Sequence, residues 1–369
     1  MDLPHYTDLP HNSVVCLMSP TASGKTDLAF KLYDTGRFEL ISVDSALIYK
    51  GMDIGTAKPT KDELRAYPHH LVDILTPTQS YSVANFVQDV ERLIGEIHAR
   101  NKIPVLVGGT MMYYMALLDG ISTVPQTKPT IRNQVKAWHD EKGNESLYEY
   151  LKQHDPVICQ KLKVTDTQRI TRAVEVYMQT GKPLSEWQST PKVAISDHPK
   201  WHWYAIIVTP DRAWLHERIE QRLEKMWADG FLQEVIGLIE HHSDLTADMP
   251  ALRAVGYRQA LDYLIAIDHP CVIAHPGLKT YYDAQTSNKN QEIGSIHQDF
   301  NKKFKKTMTN AGDLACQDMK NKALYATRQL AKRQYTWLKQ LAQTDNPTKN
   351  NLTIVSFNSI KQVEQQLLQ

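Results

Sequence analysis

Eight consecutive residues near the start of the chain have the types and the spacing of a phosphate-binding loop. They are Ser19, Pro20, Thr21, Ala22, Ser23, Gly24, Lys25 and Thr26. In such a loop backbone N–H groups point at phosphate oxygens, the lysine adds a charge, and the hydroxyl of Thr26 or Thr21 reaches a divalent ion. Ser19 stands in place of the first glycine of the general pattern, at a cost of about 1–2 kcal/mol if that position needs a positive φ. We predict a phosphate or diphosphate site with Thr26 as a candidate Mg²⁺ ligand, and an ordinary strand-to-helix turn is the alternative.

Two further polar groups follow predicted strands. Asp44 comes directly after one apolar run, and Thr110 follows another through Gly108 and Gly109. Ligands of open parallel sheets lie beyond the carboxyl ends of the strands, so both groups are expected to face the loop. Asp44 is a candidate Mg²⁺ ligand or general base, or only a turn cap, and Thr110 equally caps the next helix. The paired glycines allow close approach of a ligand, which favours a role for Thr110 in the site.

Basic residues gather later in the chain. Arg253 and Arg258 flank Gly256 and Tyr257, and guanidinium groups so spaced suit an oligophosphate or a nucleic-acid backbone. Residues 302–339 then hold ten Lys or Arg against two Asp. This stretch predicts a local binding surface.

Basic and aromatic side chains interleave in the second part of that stretch. Tyr335 and Trp337 stand close to Lys332 and Arg333. Stacking and phosphate contacts together hold single-stranded bases, so this pattern favours RNA. The run 302–306 is read instead as a solvated surface.

Alternation of short apolar runs with helical patterns predicts how these groups are positioned. Runs at 14–18, 40–43, 71–75 and 103–107 are typical of buried parallel strands, and the amphipathic stretch 83–100 predicts a crossover helix. We expect an α/β fold, namely a P-loop NTPase-like parallel sheet flanked by helices, with a mostly helical insertion domain.

Composition shifts divide the chain. We assign 1–124 and 201–345 to the catalytic core, 125–200 to the helical insertion, 268–318 to a polar surface insertion of unknown role, and 346–369 to a C-terminal tail.

Three elements are expected after the helical insertion. The run 203–208 predicts a strand that rejoins the sheet, 212–240 predicts one long helix with Gly230 inside it, and 352–357 predicts a short strand followed by a helix.

Composition excludes several classes of protein. The 369 residues carry 42 Lys and Arg against 41 Asp and Glu, a net charge of +1, so no overall field attracts nucleic acid or membrane. Four separated cysteines form no metal-binding or disulfide framework. With no apolar run long enough for a membrane span, we expect a cytoplasmic protein that binds no membrane and acts as a monomer.

Five segments together resemble the bacterial tRNA dimethylallyltransferases: 20–26, 41–49, 51–59, 107–110 and 328–334. The resemblance implies that the chain transfers a dimethylallyl group from dimethylallyl diphosphate to N6 of adenosine 37, next to the anticodon of tRNA. The products are N6-dimethylallyladenosine and pyrophosphate, and Mg²⁺ is the cofactor. Ser19 departs from the family's glycine, and the stretch before Met319 is longer than usual.

The resemblance also assigns roles to residues. It implies that Asp44 is the base for the adenine amine and that Lys25, Thr110 and Arg258 also act in catalysis. It implies that the loop 19–26 binds the diphosphate. The 125–200 insertion becomes the arm that grips the anticodon stem. The residues placed at or near the tRNA are Asp44, Ser45, Ala46, Leu47, Thr110, Arg132, Gln168, Arg169, Ile170, Thr171, Arg172, Arg253, Ala254, Val255, Gly256, Tyr257, Arg258, Lys332, Arg333, Gln334, Tyr335, Thr336, Trp337, Leu338 and Lys339.

Two other functions share the same motifs. A P-loop kinase of a small metabolite has the loop and the sheet, turns over ATP and needs no basic arm. An RNA-binding, ATPase-like module binds RNA without forming a product.

Overall fold

A six-stranded parallel sheet organises the computed structural model, which describes residues 3–192, 194–292, 311–343 and 351–369. Its order is β3-β2-β4-β1-β5-β6. The central strands β1 and β4 are buried along their whole length, because helices cover both faces of a parallel sheet. The predicted α/β fold is confirmed. The strands are β1 Ser13–Met18, β2 Phe38–Val43, β3 His69–His70, β4 Ile103–Gly108, β5 His202–Val208 and β6 Leu352–Phe357.

Helices follow the strands and fill the region between β4 and β5. Those before β5 are α1 Lys25–Asp34, α2 Lys61–Ala66, α3 Val83–Ala99, α4 Met111–Leu118, α5 Pro129–His154, α6 Pro156–Cys159, α7 Thr167–Thr180 and α8 Leu184–Ser189. Those after it are α9 Arg212–Ala228, α10 Phe231–His241, α11 Pro250–Arg253, α12 Tyr257–Ala266, α13 Pro270–Ile273, α14 Lys279–Glu292, α15 Ala311–Ala342 and α16 Ile360–Leu368.

The chain divides into two compact units. One comprises 1–114 and 198–369, and the other comprises 115–197. The first contains the sheet and a helical core around Phe231 and Tyr257, both fully buried. The second has its own core, in which Leu147, Leu151 and Val174 of α5 and α7 are completely buried.

Two predicted elements are wrong. No strand forms over residues 71–75: the short strand β3 ends at His70, and Leu71 and Asp73 then adopt positive φ values of 64° and 54°, outside the β region. The single helix expected over 212–240 is two helices, because Gly230 takes a φ of 96° and starts α10 in a new direction. The strand and helix predicted in the tail are confirmed as β6 and α16.

The stretch 268–318 also differs from the prediction of a surface insertion. Its described part is helical and begins inside the core, since Cys271, Val272 and Leu278 are buried. The basic run 302–306 lies outside the described residues.

Candidate active site

A cavity of about 560 Å³ lies at the carboxyl ends of β1, β2 and β4, within the first unit. Its strand wall consists of lining residues from the turns 21–26, 44–47 and 108–112, which follow those three strands. Its helix wall includes Arg222 on α9, the turn 253–257, and Arg333, Gln334 and Trp337 on α15. The structure therefore brings Lys25, Asp44 and Thr110 to one cavity.

The phosphate-binding loop places its strained backbone at two positions. Ala22 has a φ of 63° and Gly24 a φ of 88°, whereas Ser19 is absent from the positive-φ residues. The condition under which Ser19 would carry a backbone cost, a positive φ, is therefore not met. Ser19 is fully buried, and its hydroxyl has no hydrogen-bond partner in the described part of the chain. The Lys25 ammonium donates to the Pro20 carbonyl oxygen at 3.3 Å, which folds the lysine back across its own loop.

Three charged side chains of the cavity lie close enough to interact electrostatically. The pKa of Lys25 is lowered to about 8, first by removal from water and second by the neighbouring Arg222 guanidinium, while the Asp44 carboxylate acts in the opposite direction. Burial also lowers the pKa of Arg222, and Asp44 again acts in the opposite direction. Two cations sharing one carboxylate leave an excess of positive charge, which suits a polyanionic ligand.

Asp44 combines a turn cap with a free oxygen. Its Oδ1 accepts the N–H of Ala46 at 2.9 Å and that of Leu47 at 3.4 Å. The capping alternative is therefore correct for one oxygen. Oδ2 makes no hydrogen bond among the residues that the structure describes, so it is available to a ligand.

Thr110 is held beside Asp44 by the close pairing of two parallel strand ends. A Cβ at Gly108 would lie 2.0 Å from the Val43 carbonyl oxygen, so only glycine lets β4 end so close to β2. The Thr110 Oγ1 accepts the backbone N–H of Ser45 at 3.1 Å. This contact fixes the residue after Asp44 relative to the end of β4.

Gln334 joins the two walls. Its Oε1 accepts the N–H of Thr21 at 3.0 Å, and its Nε2 donates to the Gly109 carbonyl oxygen at 2.7 Å. The side chain is buried, and a Cβ at Gly109 would lie 2.6 Å from its Nε2. The Thr21 N–H is therefore not available to a ligand. Gln334 links α15 to the loops that contain Thr21 and Gly109.

Arg222 is the functional residue that sequence reasoning missed. It lies four residues after Arg218 on α9, and Arg218 Nε donates to the Ala22 carbonyl oxygen at 2.9 Å. Two arginines on one face of the helix that follows β5 were a usable signal, since β5 lies next to β1 in the sheet.

Arg258, the arginine assigned to catalysis, does not line the cavity. Its guanidinium donates to the Ala247 carbonyl oxygen and lies 5.1 Å from the centre of the Tyr281 ring. Tyr257 is fully buried and donates its hydroxyl to Glu234. Successive side chains on a helix point about 100° apart, so burial of Tyr257 turns Arg258 away. The residues before it, 253–257, do line the cavity.

The helical segment assigned to RNA divides between two faces. Gln334, Tyr335 and Leu338 are buried, and the Tyr335 hydroxyl donates to the Pro210 carbonyl oxygen. A stacking role for Tyr335 or a tRNA contact for Leu338 is therefore wrong, because α15 uses this face to pack on the core. The exposed face carries Lys332, Arg333, Thr336, Trp337 and Lys339.

The residues of the second unit that were assigned to tRNA are likewise partly buried and partly exposed. Ile170 is fully buried in the core of that unit, so its assignment to tRNA is wrong. Gln168 and Arg169 are exposed, and Thr171 is partly exposed. Arg172 donates to the Pro125 carbonyl oxygen at 2.9 Å. Arg132 remains largely exposed, at 3.9 Å from Glu175.

Neither a metal cluster nor a membrane helix is found in the part of the chain that the structure describes. No group of three or more His, Cys, Asp or Glu side chains converges there. None of its helices combines the length and the apolar character that crossing a bilayer demands.

Comparison of the sequence with known proteins gives consistent matches. The family model described as IPP transferase matches residues 47–341. A tRNA dimethylallyltransferase of Psychrobacter sp. strain PRwf-1 is 58% identical over 343 residues, 93% of this chain and 88% of the relative. A tRNA dimethylallyltransferase of Acinetobacter baumannii is 46% identical over 342 residues, 92% of this chain and 94% of the relative.

Solved structures share the fold. The full-length tRNA isopentenylpyrophosphate transferase of Bacillus halodurans superimposes with a TM-score of 0.54 at 26% identity, over 96% of this chain and 94% of that one. A eukaryotic dimethylallyltransferase, captured in crystallographic snapshots while acting on tRNA, gives a TM-score of 0.66 at 22% identity, over 96% of this chain and 76% of that one. The second likeness concerns the fold alone.

Proposed function

The chain belongs to the IPP transferase family, and on that basis we propose that it transfers a dimethylallyl group from dimethylallyl diphosphate to N6 of adenosine 37 in tRNA. The observation that carries the proposal is a single cavity lined by Lys25, Asp44 and Arg222. Relatives at 46–58% identity are named tRNA dimethylallyltransferases. The proposed reaction takes place in the cytoplasm, with the chain acting as a monomer.

The reaction needs two things from the protein: stabilisation of the leaving pyrophosphate and removal of a proton from the adenine amine. Breaking the allylic C–O bond leaves negative charge on pyrophosphate, and preorganised cations stabilise such charge where it develops. Lys25 and Arg222 are placed to do so. As the bond between N6 and the allylic carbon forms, the amine proton moves to Oδ2 of Asp44, and pyrophosphate departs with the electrons of the broken bond.

The tRNA half of the proposal rests on exposed side chains. An adenine stacked in an anticodon loop must be flipped out to reach the cavity, at a cost of a few kcal/mol. Lys332, Arg333 and Trp337 lie together on the exposed face of α15, and Arg333 and Trp337 line the cavity. Phosphate contacts and stacking on the indole offset the cost of flipping. We assign the grip on the anticodon stem to the 125–200 insertion.

The residues present fit Mg²⁺. This ion takes oxygen ligands, keeps several waters and is commonly held by one or two protein groups plus substrate phosphates. Thr26 lines the cavity with an exposed hydroxyl that makes no hydrogen bond in the described part of the chain. The Thr26 hydroxyl would be the protein ligand, and the bound ion would neutralise diphosphate charge.

The test is an incubation of the purified protein with tRNA and dimethylallyl diphosphate, with and without ATP, followed by mass analysis of the nucleosides. We expect N6-dimethylallyladenosine and pyrophosphate without ATP, and product formation slower by about 10²–10⁴-fold with Asp44→Asn. Hydrolysis of ATP as a requirement would support the small-metabolite kinase. Binding of tRNA with no modified nucleoside would support the RNA-binding module.

A further inference from the structure

The carboxylate of Glu234 on α10 collects four hydrogen bonds just outside the cavity. Its Oε2 accepts the backbone N–H of Asp53 at 2.9 Å and that of Ile54 at 2.6 Å. Its Oε1 accepts the N–H of Gly55 at 3.0 Å and the hydroxyl of Tyr257. Three consecutive backbone amides pointing at one anion hold a loop far more firmly than a single contact would.

The same loop carries the contact that orients Arg222. The carbonyl oxygen of Thr56, one residue after Gly55, accepts from Arg222 Nη2 at 3.1 Å. Within the described part of the chain this is the hydrogen bond that the Arg222 guanidinium makes. The other donors of its planar fork are thereby left to face a ligand, with a direction set by the Thr56 carbonyl.

Close packing also fixes the position of the loop that bonds to Glu234 and Arg222. A Cβ at Gly55 would lie 2.1 Å from Cε2 of Phe231, so the loop lies directly against the first turn of α10. Phe231 is fully buried, and Glu234 is three residues further along the same helix. One helix therefore fixes the loop by both contact and charge. On the other side, the buried Lys58 ammonium contacts Asp53 at 2.7 Å.

We propose that Glu234 is a positioning residue for the transfer reaction: its carboxylate fixes the 53–56 loop, and the Thr56 carbonyl of that loop aims Arg222 at the departing diphosphate. The inference rests on the proposed function, because it requires Arg222 to bind the diphosphate. Glu234 is not a catalytic residue, since it does not line the cavity.

A double-mutant cycle separates this role from a contribution to folding alone. We would measure kcat, the KM for dimethylallyl diphosphate and the Kd for inorganic pyrophosphate in Glu234→Gln, Arg222→Gln and the combination. A displacement of Arg222 by about 1 Å is expected to lower kcat for Glu234→Gln by about 10–100-fold and to weaken pyrophosphate binding. In the combined variant the loss should equal that of Arg222→Gln alone, because coupled residues are non-additive.

Controls keep the outcomes distinct. Glu240→Gln, at an exposed position of the same helix, should leave all three quantities unchanged. If Glu234→Gln does not fold, Glu234→Asp retains the charge with a shorter reach and enters the same cycle. Losses that multiply, or a lowered melting temperature with unchanged kcat and pyrophosphate affinity, would overturn the inference. Unchanged pyrophosphate binding in Arg222→Gln, or a wild type that forms no product, would overturn the proposed function instead.

Discussion

The two walls of the cavity are built in different ways. On the strand wall, Lys25, Asp44 and Thr110 each follow a strand of the sheet within a few residues, so hydrogen bonds of the parallel ladder set their positions. On the helix wall, Arg222 of α9 and Gln334 of α15 lie more than 100 residues apart in the chain, and packing of helix faces brings them together. The geometry of the strand wall is therefore set locally by the backbone, whereas the helix wall forms only when the core is assembled.

Removing the carboxylate of the strand wall should have the largest effect. Asp44→Ala is expected to lower kcat by about 10²–10⁴-fold, the range for loss of a general base, while tRNA affinity changes far less. Steady-state kinetics with purified protein measures this. The matched control is Asp62→Ala on α2, whose side chain is 87% exposed. Near-normal turnover by Asp44→Ala would remove Asp44 from the mechanism.

The helix wall is tested by two arginines of the same type. Arg222→Gln should lower kcat/KM for dimethylallyl diphosphate by about 10²–10³-fold, as for loss of one preorganised donor to a developing anion. Arg258→Gln should lose less than about tenfold, because its guanidinium contacts Ala247 and Tyr281 outside the cavity. A larger loss for Arg258→Gln than for Arg222→Gln would reverse the assignment of the helix wall.

The exposed face of α15 should act on tRNA alone. Replacing Lys332 and Arg333 with alanine is expected to raise the KM for tRNA and to reduce the log–log salt slope of binding by up to about two, at roughly 0.7–0.9 per phosphate contact. Affinity for dimethylallyl diphosphate should barely move. Fluorescence-anisotropy titrations at several salt concentrations measure the slope. An unchanged slope would mean that this face is exposed to solvent and makes no phosphate contact with tRNA.

The pH profile should report electrostatic contact between the walls. With a pKa of about 8, Lys25 is protonated below that pH and loses its charge as the pH rises through it. The kcat/KM for dimethylallyl diphosphate should therefore fall above pH 8, by about tenfold per unit. In Arg222→Gln the descending limb should move to higher pH, because the guanidinium that lowers the pKa is gone. A descending limb at the same pH in both proteins would show that Arg222 does not lower the pKa of Lys25.

The head of the phosphate-binding loop should tolerate change best. Ser19→Gly is expected to alter kcat/KM by less than about twofold, since the backbone at Ser19 does not need glycine and the hydroxyl has no partner among the described residues. Thermal unfolding should show a loss of stability of about 0.5–1 kcal/mol from the added backbone freedom. A severe loss of activity would show that the Ser19 hydroxyl itself takes part.

Most of the strand wall could be predicted from the sequence. A buried strand, a tight turn and a helix start occupy adjacent residues, so the types of Gly24, Lys25, Asp44 and Thr110 already indicate where each must lie. The general pattern locates a glycine at position 19 without giving its backbone angles, so the sequence left open whether Ser19 needs a positive φ. In the structure, the non-glycine residue of this loop with a positive φ is Ala22, at 63°.

The helix wall could be predicted only in part. The pattern of α15 marks it as basic and aromatic, yet Tyr335 and Leu338 pack inward while Lys332 and Trp337 face outward. Which stripe of a helix is buried depends on the partner it packs against, and a single sequence does not contain that partner's position.

Sequence by itself determined the α/β class, most of the strands, a loop with the pattern of a phosphate-binding loop, and the resemblance to tRNA dimethylallyltransferases. Those features are local, because turn geometry and apolar periodicity act over a few residues. Only the tertiary structure decided that Arg222 instead of Arg258 enters the cavity, that Gln334 clasps two loops, and that Glu234 holds the loop behind Arg222. Each of these depends on contacts between residues far apart in the chain, which form only when the helices pack on the sheet.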